Sequence, residues 1–348
     1  VNHQATRASL ASLGKAAKTS MVQSRLKGSL QRAMGSSTPA LSLSELAANA
    51  LVEMQRATYM NACIEANVPP VSRILNHLAA PRLALRHYGL GPAGVGPLTA
   101  ILPTNRSWRI LSLADNRLQP EGGVRLAPAL AQHVKLTDID LTANNLGPRG
   151  TRAVLHALAH SPLSTKNLRR LRLGRNHFAD GVTEELCGLL RAASALQTLE
   201  LQDNGMTSLT AIELSQSLLS GACPLTDLDL SWNSLRAAGV AAIAEALTAN
   251  QRLRCLRISW NAASQRGGVG MADALRQNTG LKTLDLQHNG IDGVAAIMLA
   301  DALKEDNKSL TSLDLSHNPI GVRACESVMR ALSCNTSLIE IGLQAVEA

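Results

Sequence analysis

Aromatic side chains are scarce in this sequence of 348 residues, which holds 3 Trp, 2 Tyr and 1 Phe. Its hydrophobic fraction of 45% is ordinary for a soluble chain, so Leu, Ile, Val and Ala must form the interior. A chain of this length can bury a large core. An interior with so few rings indicates many small, repeated packing layers and not one irregular centre.

Acidic residues are missing from residues 1–38, which contain six Lys or Arg. The other 28 basic residues nearly balance the 26 acidic ones, so most of the formal charge of +8 belongs to this segment. Its composition is typical of a solvated flexible tail, a mitochondrial presequence, or an electrostatic arm that binds an acidic partner such as a tubulin surface. We favour the arm and assign residues 1–40 to it as a Ser-rich extended segment. Its basic residues are Arg7, Lys15, Lys18, Arg25, Lys27 and Arg32.

Signatures of catalysis and metal binding are also missing. The sequence has no G-x-S-x-G motif and no P-loop G-x-x-x-x-G-K. Its six cysteines form no C-x-x-C pair, which favours a reducing compartment. No apolar run approaches the roughly 18–20 residues that cross a bilayer. We therefore expect no enzyme activity, no cofactor, no metal site and no membrane span.

What the sequence has instead is one pattern, L-x-x-L-x-L-x-x-N-x-L, repeated eight times between residues 111 and 320. Its L-x-L core predicts a short strand with the leucines facing inward. The Asn amide has both a donor and an acceptor, so it can satisfy backbone groups where the chain leaves the strand. Successive asparagines are 28, 32, 28, 29, 28, 28 and 29 residues apart. The predicted structural ladder is Asn116, Asn144, Asn176, Asn204, Asn233, Asn261, Asn289 and Asn318.

A helical pattern follows each strand, as in Gly239, Ile243, Ala246 and Leu247. Repeats of this length with a full helix resemble the ribonuclease-inhibitor-like class of leucine-rich repeats. The resemblance implies an α/β solenoid, a horseshoe with a parallel β-sheet on its concave face and helices on its convex face. We expect a helical N-terminal cap over residues 41–82 and a repeat domain over 83–348, with degenerate first and last copies. The 32-residue interval predicts a longer loop at residues 161–167.

The junction before the repeats carries a second pattern. Its residues are Tyr59, Ala62, Cys63, Val68, Pro70, Val71, Ser72, Leu75, Leu78, Leu83, Leu85, His87, Gly89, Leu90, Gly91 and Pro92. This run resembles repeat proteins of motile cilia, including the repeat subunit of the nexin–dynein regulatory complex, although Pro69 and Arg73 depart from the pattern. The resemblance implies a protein-interaction scaffold of the ciliary or flagellar axoneme, bound to other proteins of a large complex or to tubulin. The cytoplasm is the alternative location.

Charged residues occupy the outward position between the two core leucines of each strand. Arg172 and Arg257 each stand between carboxylates, and Asp229 and Asp285 flank Arg257. This row predicts either a partner-binding surface or a lateral charge ladder along the sheet. Nucleic acid is not expected there, because carboxylates border the basic residues and no aromatic residues are interleaved. The third repeat adds Arg169, Arg170 and Arg175.

A second row immediately precedes the ladder asparagines. In four consecutive repeats it consists of Trp232, Trp260, His288 and His317. Because leucines already fill the core positions, we expect these rings on an exposed rim. They form either an interface ridge or packing against the adjacent loop. The two histidines lack a clear third ligand, so we do not assign a metal to them.

Two other functions share this type of repeat. One is a GTPase-activating protein of the Ran-directed type, although such proteins typically carry an acidic C-terminal segment that this sequence lacks. The other is a ligand-sensing or inhibitor module of a larger receptor. The scaffold is the interpretation that we favour, with no small-molecule substrate.

Overall fold

The computed structural model describes residues 42–220 and 223–346. The chain divides into two units, residues 1–57 and 58–348. The predicted basic arm and its six Lys and Arg residues lie outside the described residues.

Helix α1 (Leu43–Glu65) begins in the first unit. The backbone N–H of Ser42 donates to Glu45 Oε2 at 2.8 Å, and Ser42 Oγ accepts from the backbone N–H of Glu45 at 3.3 Å. These reciprocal bonds are a capping box, which satisfies backbone donors that the first helical turn leaves unpaired. The hydrogen bonds that the Glu45 carboxylate accepts from the backbone N–H and the hydroxyl of Ser42 hold the pKa of Glu45 below its ordinary value. Ser42 is therefore the N-cap of α1.

The second unit contains one parallel sheet of ten three-residue strands that pair in chain order. At the centre of nearly every strand is a buried Leu or Ile that lies beside its counterpart in the next repeat, as Leu199 lies beside Leu228. A period near 28 residues produces this register, because each repeat returns the same side chain to the same layer. The strands are β1 (Arg82–Ala84), β2 (Ile110–Ser112), β3 (Asp138–Asp140), β4 (Arg170–Arg172), β5 (Thr198–Glu200), β6 (Asp227–Asp229), β7 (Cys255–Arg257), β8 (Thr283–Asp285), β9 (Ser312–Asp314) and β10 (Glu340–Gly342).

Helices connect successive strands and pack their apolar side on the sheet and on each other. In the helix Arg236–Ala249, for example, Val240, Ile243 and Leu247 are buried. The α/β solenoid prediction is confirmed. The helices after α1 are α2 (Ser72–Asn76), α3 (Gly91–Ile101), α4 (Gln119–Gln132), α5 (Gly147–Ala159), α6 (Pro162–Asn167), α7 (Thr183–Ala192), α8 (Ser208–Leu219), α9 (Arg236–Ala249), α10 (Ser264–Gln277), α11 (Gly293–Glu305) and α12 (Gly321–Cys334).

One connection differs from its sequence prediction. The extra residues of the 32-residue interval form helix α6 and not a loop. Ser161 starts this helix, since its Oγ accepts from the backbone N–H of Ser164 at 3.3 Å, and Pro162 follows at the first helical position. Both residues favour helix initiation, which explains the correction.

Two hydrogen bonds stabilise the junction before the repeats. The hydroxyl of Tyr59 accepts from the backbone N–H of Val71 at 3.1 Å. The indole N–H of the fully buried Trp108 donates to the carbonyl of His77 at 2.8 Å. The ring of Trp108 stands at the position where later repeats place the first leucine of the pattern. No helix among the described residues is long and apolar enough to cross a membrane.

Candidate protein-binding rim

The turn after each strand is organised by its ladder asparagine. Asn176 is buried, and its Oδ1 accepts from the backbone N–H groups of Asn144 and Leu146 at 3.1 and 3.2 Å. Its side-chain amide donates to the carbonyls of Leu141 and Leu173 at 3.0 and 2.9 Å. One side chain thus satisfies donors and acceptors of two repeats in a buried turn, where unpaired groups would be costly.

The residue before each ladder asparagine has a left-handed backbone, with φ between +48° and +60°. This conformation costs roughly 1–2 kcal/mol for a residue other than glycine. The ladder hydrogen bonds fix the turn and offset that cost, and the turn directs the side chain away from the leucine core. We call this series the rim row. Its members are Asp115, Ala143, Arg175, Asp203, Trp232, Trp260, His288 and His317.

The rim row stacks its rings over four consecutive repeats. The ring centroids of Trp232 and Trp260 are 4.2 Å apart, those of Trp260 and His288 3.8 Å, and those of His288 and His317 4.2 Å. Angles of 15°, 21° and 7° between successive planes make the stack nearly parallel. The two Trp residues remain 53% and 40% exposed. The rings therefore pack on one another, and their edges face solvent.

His288 and His317 form the last pair of rings in the stack. Partial burial, and then the neighbouring His317, lower the pKa of His288, so the uncharged ring predominates near neutral pH. No group of three His, Cys, Asp or Glu residues suited to a metal ion occurs among the described residues.

The outward charges of the sheet pair laterally. Arg172 lies 3.0 Å from Asp138 and 3.1 Å from Glu200, and Arg170 lies 3.2 Å from Asp138. Arg172 thus pairs with Asp138 and not with Asp140, its neighbour in strand register, which instead accepts from the Ser112 hydroxyl at 3.0 Å. These contacts favour the charge-ladder interpretation for the third repeat.

The other predicted charged residues are Arg169, Arg175, Asp229, Arg257 and Asp285. Arg175 pairs with Asp203 on the rim at 3.4 Å, whereas Arg169 is exposed and forms no ion pair with another described residue. The strand position of Arg257 lies in register between those of Asp229 and Asp285, yet its side chain makes no salt bridge within the described chain. Burial raises the pKa of Asp285, and the charges of Asp314 and Asp229 add to that effect. The strand surface of repeats five to eight is therefore predominantly acidic.

A second amide ladder, which the repeat pattern above does not predict, lies on the helical side of the repeats. At the C-terminal end of the helices, Asn278 donates to the carbonyl of Leu247 and accepts from the backbone N–H groups of Gly280 and Leu281. Equivalent bonds are made by Asn250, Asn307 and Asn335. Their spacings of 28, 29 and 28 residues were a readable signal.

His133 occupies this second ladder position in an earlier repeat. Its Nδ1 accepts from the backbone N–H of Lys135 at 3.1 Å, as an Asn oxygen would. Its buried Nε2 has no hydrogen-bond partner among the described residues. Burial, followed by the charges of Arg106 and Lys135, lowers the pKa of His133 to about 4.

Comparisons with known proteins agree with this architecture. A family model described as Leucine Rich repeat matches residues 104–127, 221–244, 277–300 and 306–329. Tonsoku-like protein from Mus musculus is 30% identical over 199 residues, which cover 55% of this chain and 14% of that protein. Ribonuclease inhibitor from Sus scrofa is 30% identical over 156 residues, or 45% of this chain and 34% of the inhibitor. The chain therefore spans about a third or less of these two relatives.

Among solved structures, the leucine-rich repeat-containing protein LegL7 from Legionella pneumophila aligns with a TM-score of 0.47 at 20% identity, covering 75% of this chain and 88% of that one. The matched repeats agree with the leucine-rich-repeat architecture of the ten-stranded parallel sheet, and about half of the chain is similar to part of ribonuclease inhibitor.

Proposed function

We propose that the chain is a non-enzymatic protein-interaction scaffold that binds its partner through Trp232, Trp260, His288 and His317. The observation that supports this most directly is the exposed, nearly parallel stack of these four rings. Trp is enriched at the energetic centres of protein interfaces, since one ring buries a large area at a small entropic cost.

Stability alone does not account for tryptophan at these positions. Buried leucines already fill the core of these repeats, among them Leu228 and Leu256. Trp232 and Trp260 have φ values of +57° and +58°, a conformation that glycine adopts without strain and a bulky side chain does not. Two strained and exposed indoles side by side favour selection for binding.

Site-specific photo-crosslinking tests this proposal. A benzoylphenylalanine at position 260 reports on the rim, and one at position 329 is the control, because Met329 is 59% exposed on helix α12 and away from the rim row. We expect a partner to crosslink to position 260 and not to position 329. Equal crosslinking at both positions, or crosslinking only at 329, would contradict a rim-directed scaffold.

We further propose that the chain resides in the ciliary or flagellar axoneme. The support is the resemblance of the junction residues to those of repeat proteins of motile cilia, together with the basic residues 1–38, whose charge suits axonemal proteins or acidic tubulin. A fluorescently tagged chain should remain in axonemes after detergent extraction. A cytoplasmic signal lost on extraction would overturn this localisation, and a mitochondrial signal would instead support the presequence interpretation.

An inhibitor module is a second candidate, favoured by the 30% identity to ribonuclease inhibitor. Titrating the chain into a pancreatic-type ribonuclease distinguishes the two, and we expect no loss of nuclease activity. A single-turnover GTP hydrolysis assay with Ran addresses the enzymatic alternative, and we expect no change in rate. Stoichiometric inhibition or accelerated hydrolysis would replace the axonemal scaffold by that function.

A further inference from the structure

A pocket of about 480 Å³ opens on the rim beside the ring stack. We call it the rim pocket. The side chains that a ligand would meet there are those of Ser234, Arg236, Trp260, Ser264 and His288. No Asp or Glu lines this pocket, although acidic residues are frequent on the adjacent strands. Its lining is therefore rich in hydrogen-bond donors and lacks negative charge.

Arg236 supplies the positive charge of the rim pocket. Its side chain is exposed and forms no ion pair with any residue that the structure describes, whereas Arg175 on the same rim is paired with Asp203 at 3.4 Å. Helix α9, which begins at Arg236, has no acidic residue in its first turn and no capping side chain. No carboxylate of the pocket lining or of the first turn of α9 therefore pairs with the guanidinium group.

The rings offer their edges to a ligand in this pocket. One face of Trp260 is covered by Trp232 at 4.2 Å and the other by His288 at 3.8 Å. A nucleobase has no free face of Trp260 on which to stack. The indole and imidazole N–H groups lie on ring edges, so the accessible part of these rings can donate hydrogen bonds and make apolar contacts.

The surrounding charge limits what kind of anion fits. The strands of the same repeats carry Asp229, Asp285 and Asp314, which repel a polyanion. Binding of nucleic acid needs several cations along a phosphate backbone, and Arg236 is the single Lys or Arg that lines the pocket. An isolated carboxylate matches one guanidinium beside neutral donors, because it can accept two parallel N–H bonds.

We propose that the rim pocket binds an Asp or Glu side chain of an extended partner segment, with Arg236 as the ion-pairing residue and the edges of Trp260 and His288 as flanking contacts. This inference rests on the proposed scaffold function and names the chemistry of its partner. The expected ligand is a protein segment that carries one carboxylate next to apolar residues.

Selection from a random library of displayed 12-residue peptides tests the proposal with the full chain. The bait proteins are the unmodified chain, the Arg236→Gln variant, and the Arg323→Gln variant as a matched control. Arg323 is also an exposed arginine near the start of a helix, without an ion pair to other described residues, and it lies outside the pocket. All three baits keep the basic residues 1–38, so acidic peptides captured there are enriched equally.

We expect Asp or Glu at one fixed peptide position to be enriched at least threefold on the unmodified chain and on Arg323→Gln, and not on Arg236→Gln. A selected peptide should bind at least tenfold more weakly when that residue is changed to its amide, Asn or Gln. Equal acidic enrichment on all three baits would overturn the proposal, as would displacement of the peptide by a twelve-residue oligothymidylate. Peptides that crosslink at position 260 but have no acidic preference would leave the scaffold function intact and overturn only the carboxylate specificity.

Discussion

At the scale of the residue, one amide side chain supports the turns of two neighbouring repeats. Asn176 is fully buried and bonds to backbone groups on both sides. Asn176→Ala would leave several of these groups unpaired in a buried turn. We expect the free energy of unfolding to fall by about 3 kcal/mol, since each unsatisfied group costs roughly 1–3 kcal/mol. Urea unfolding measures this loss, and a decrease below about 1 kcal/mol would show that the ladder is dispensable.

The left-handed backbone of the rim row predicts an unusual order of substitutions. At Trp232, where φ is +57°, glycine removes the strain that any other residue retains. We therefore expect Trp232→Gly to be more stable than Trp232→Ala by about 1 kcal/mol, the reverse of the order expected in a strand or helix. Thermal unfolding of the two variants checks the order. An alanine variant as stable as the glycine variant would mean that the strain is absent in solution.

His133 predicts a loss of stability in acid. The pKa of this buried ring is about 4 in the folded chain and 6.5 for an ordinary histidine, so the unfolded chain binds the proton first as the pH falls. The contribution of the uncharged His133 ring to the free energy of unfolding is complete above pH 6.5 and is lost between pH 6.5 and pH 4. Its total size is roughly 3 kcal/mol, at about 1.4 kcal/mol per pKa unit.

His133→Asn isolates that contribution. An asparagine does not titrate, and at the equivalent positions of later repeats its amide donates to a backbone carbonyl. We expect this variant to be about 1 kcal/mol more stable at pH 7, with a difference that widens at pH 5. Unfolding curves of the variant and of the unmodified chain at pH 7 and pH 5 measure this difference in stability. A constant difference would assign the acid sensitivity to other groups.

At the scale of the element, helices of adjacent repeats approach closely where glycine permits it. A Cβ on Gly123 in α4 would lie 2.9 Å from the backbone of Gly150 in α5, whereas a Cβ on Gly188 in α7 would have no contact closer than 4.0 Å. We expect Gly123→Ala to cost about 2 kcal/mol and Gly188→Ala to stabilise by up to about 1 kcal/mol. Thermal unfolding of the pair tests this contrast, and destabilisation of equal size in both variants would contradict it.

The strands and the first amide ladder were predictable because both follow from a repeated pattern of leucine and asparagine. The second ladder follows an equally regular spacing in the last repeats, but His133, Ser161 and Ala193 interrupt it in the middle of the chain. Helix α6 was missed because its six residues are too few for an apolar period. Its signal was local, in the Ser-Pro start.

The candidate site was predictable in part, for a related reason. A fixed period places Trp232, Trp260, His288 and His317 in one row, so their adjacency follows from the sequence. Their stacking depends on ring orientation, and the left-handed turn depends on bonds from a neighbouring repeat. The repeated sequence pattern predicts neither the stacking of the rings nor the left-handed turn. Arg236 was missed because it lies outside the aligned strand positions and joins the pocket through the turn.

At the scale of the whole repeat unit, each repeat contacts its neighbours through strand pairing, helix packing and two amide ladders. Stability in such an array is distributed over neighbouring interfaces. The rim rings contact one another across repeats but lie outside the leucine core, so we expect a substitution there to change binding with little effect on the fold.

The most direct measurement compares partner capture with thermal unfolding for one double variant. In Trp232→Gly/Trp260→Gly, the loss of two ring contacts, each about 0.5–1.5 kcal/mol, opposes the relief of backbone strain at two positions, each about 1–2 kcal/mol. The control is Val322→Ser/Met329→Ser, two exposed positions on α12. We predict that capture of the partner crosslinked at position 260 falls at least tenfold in the rim variant alone, while both unfolding midpoints stay within about 3 °C of the unmodified chain. Unchanged capture, or a midpoint that falls in step with it, would contradict a binding role for the rim.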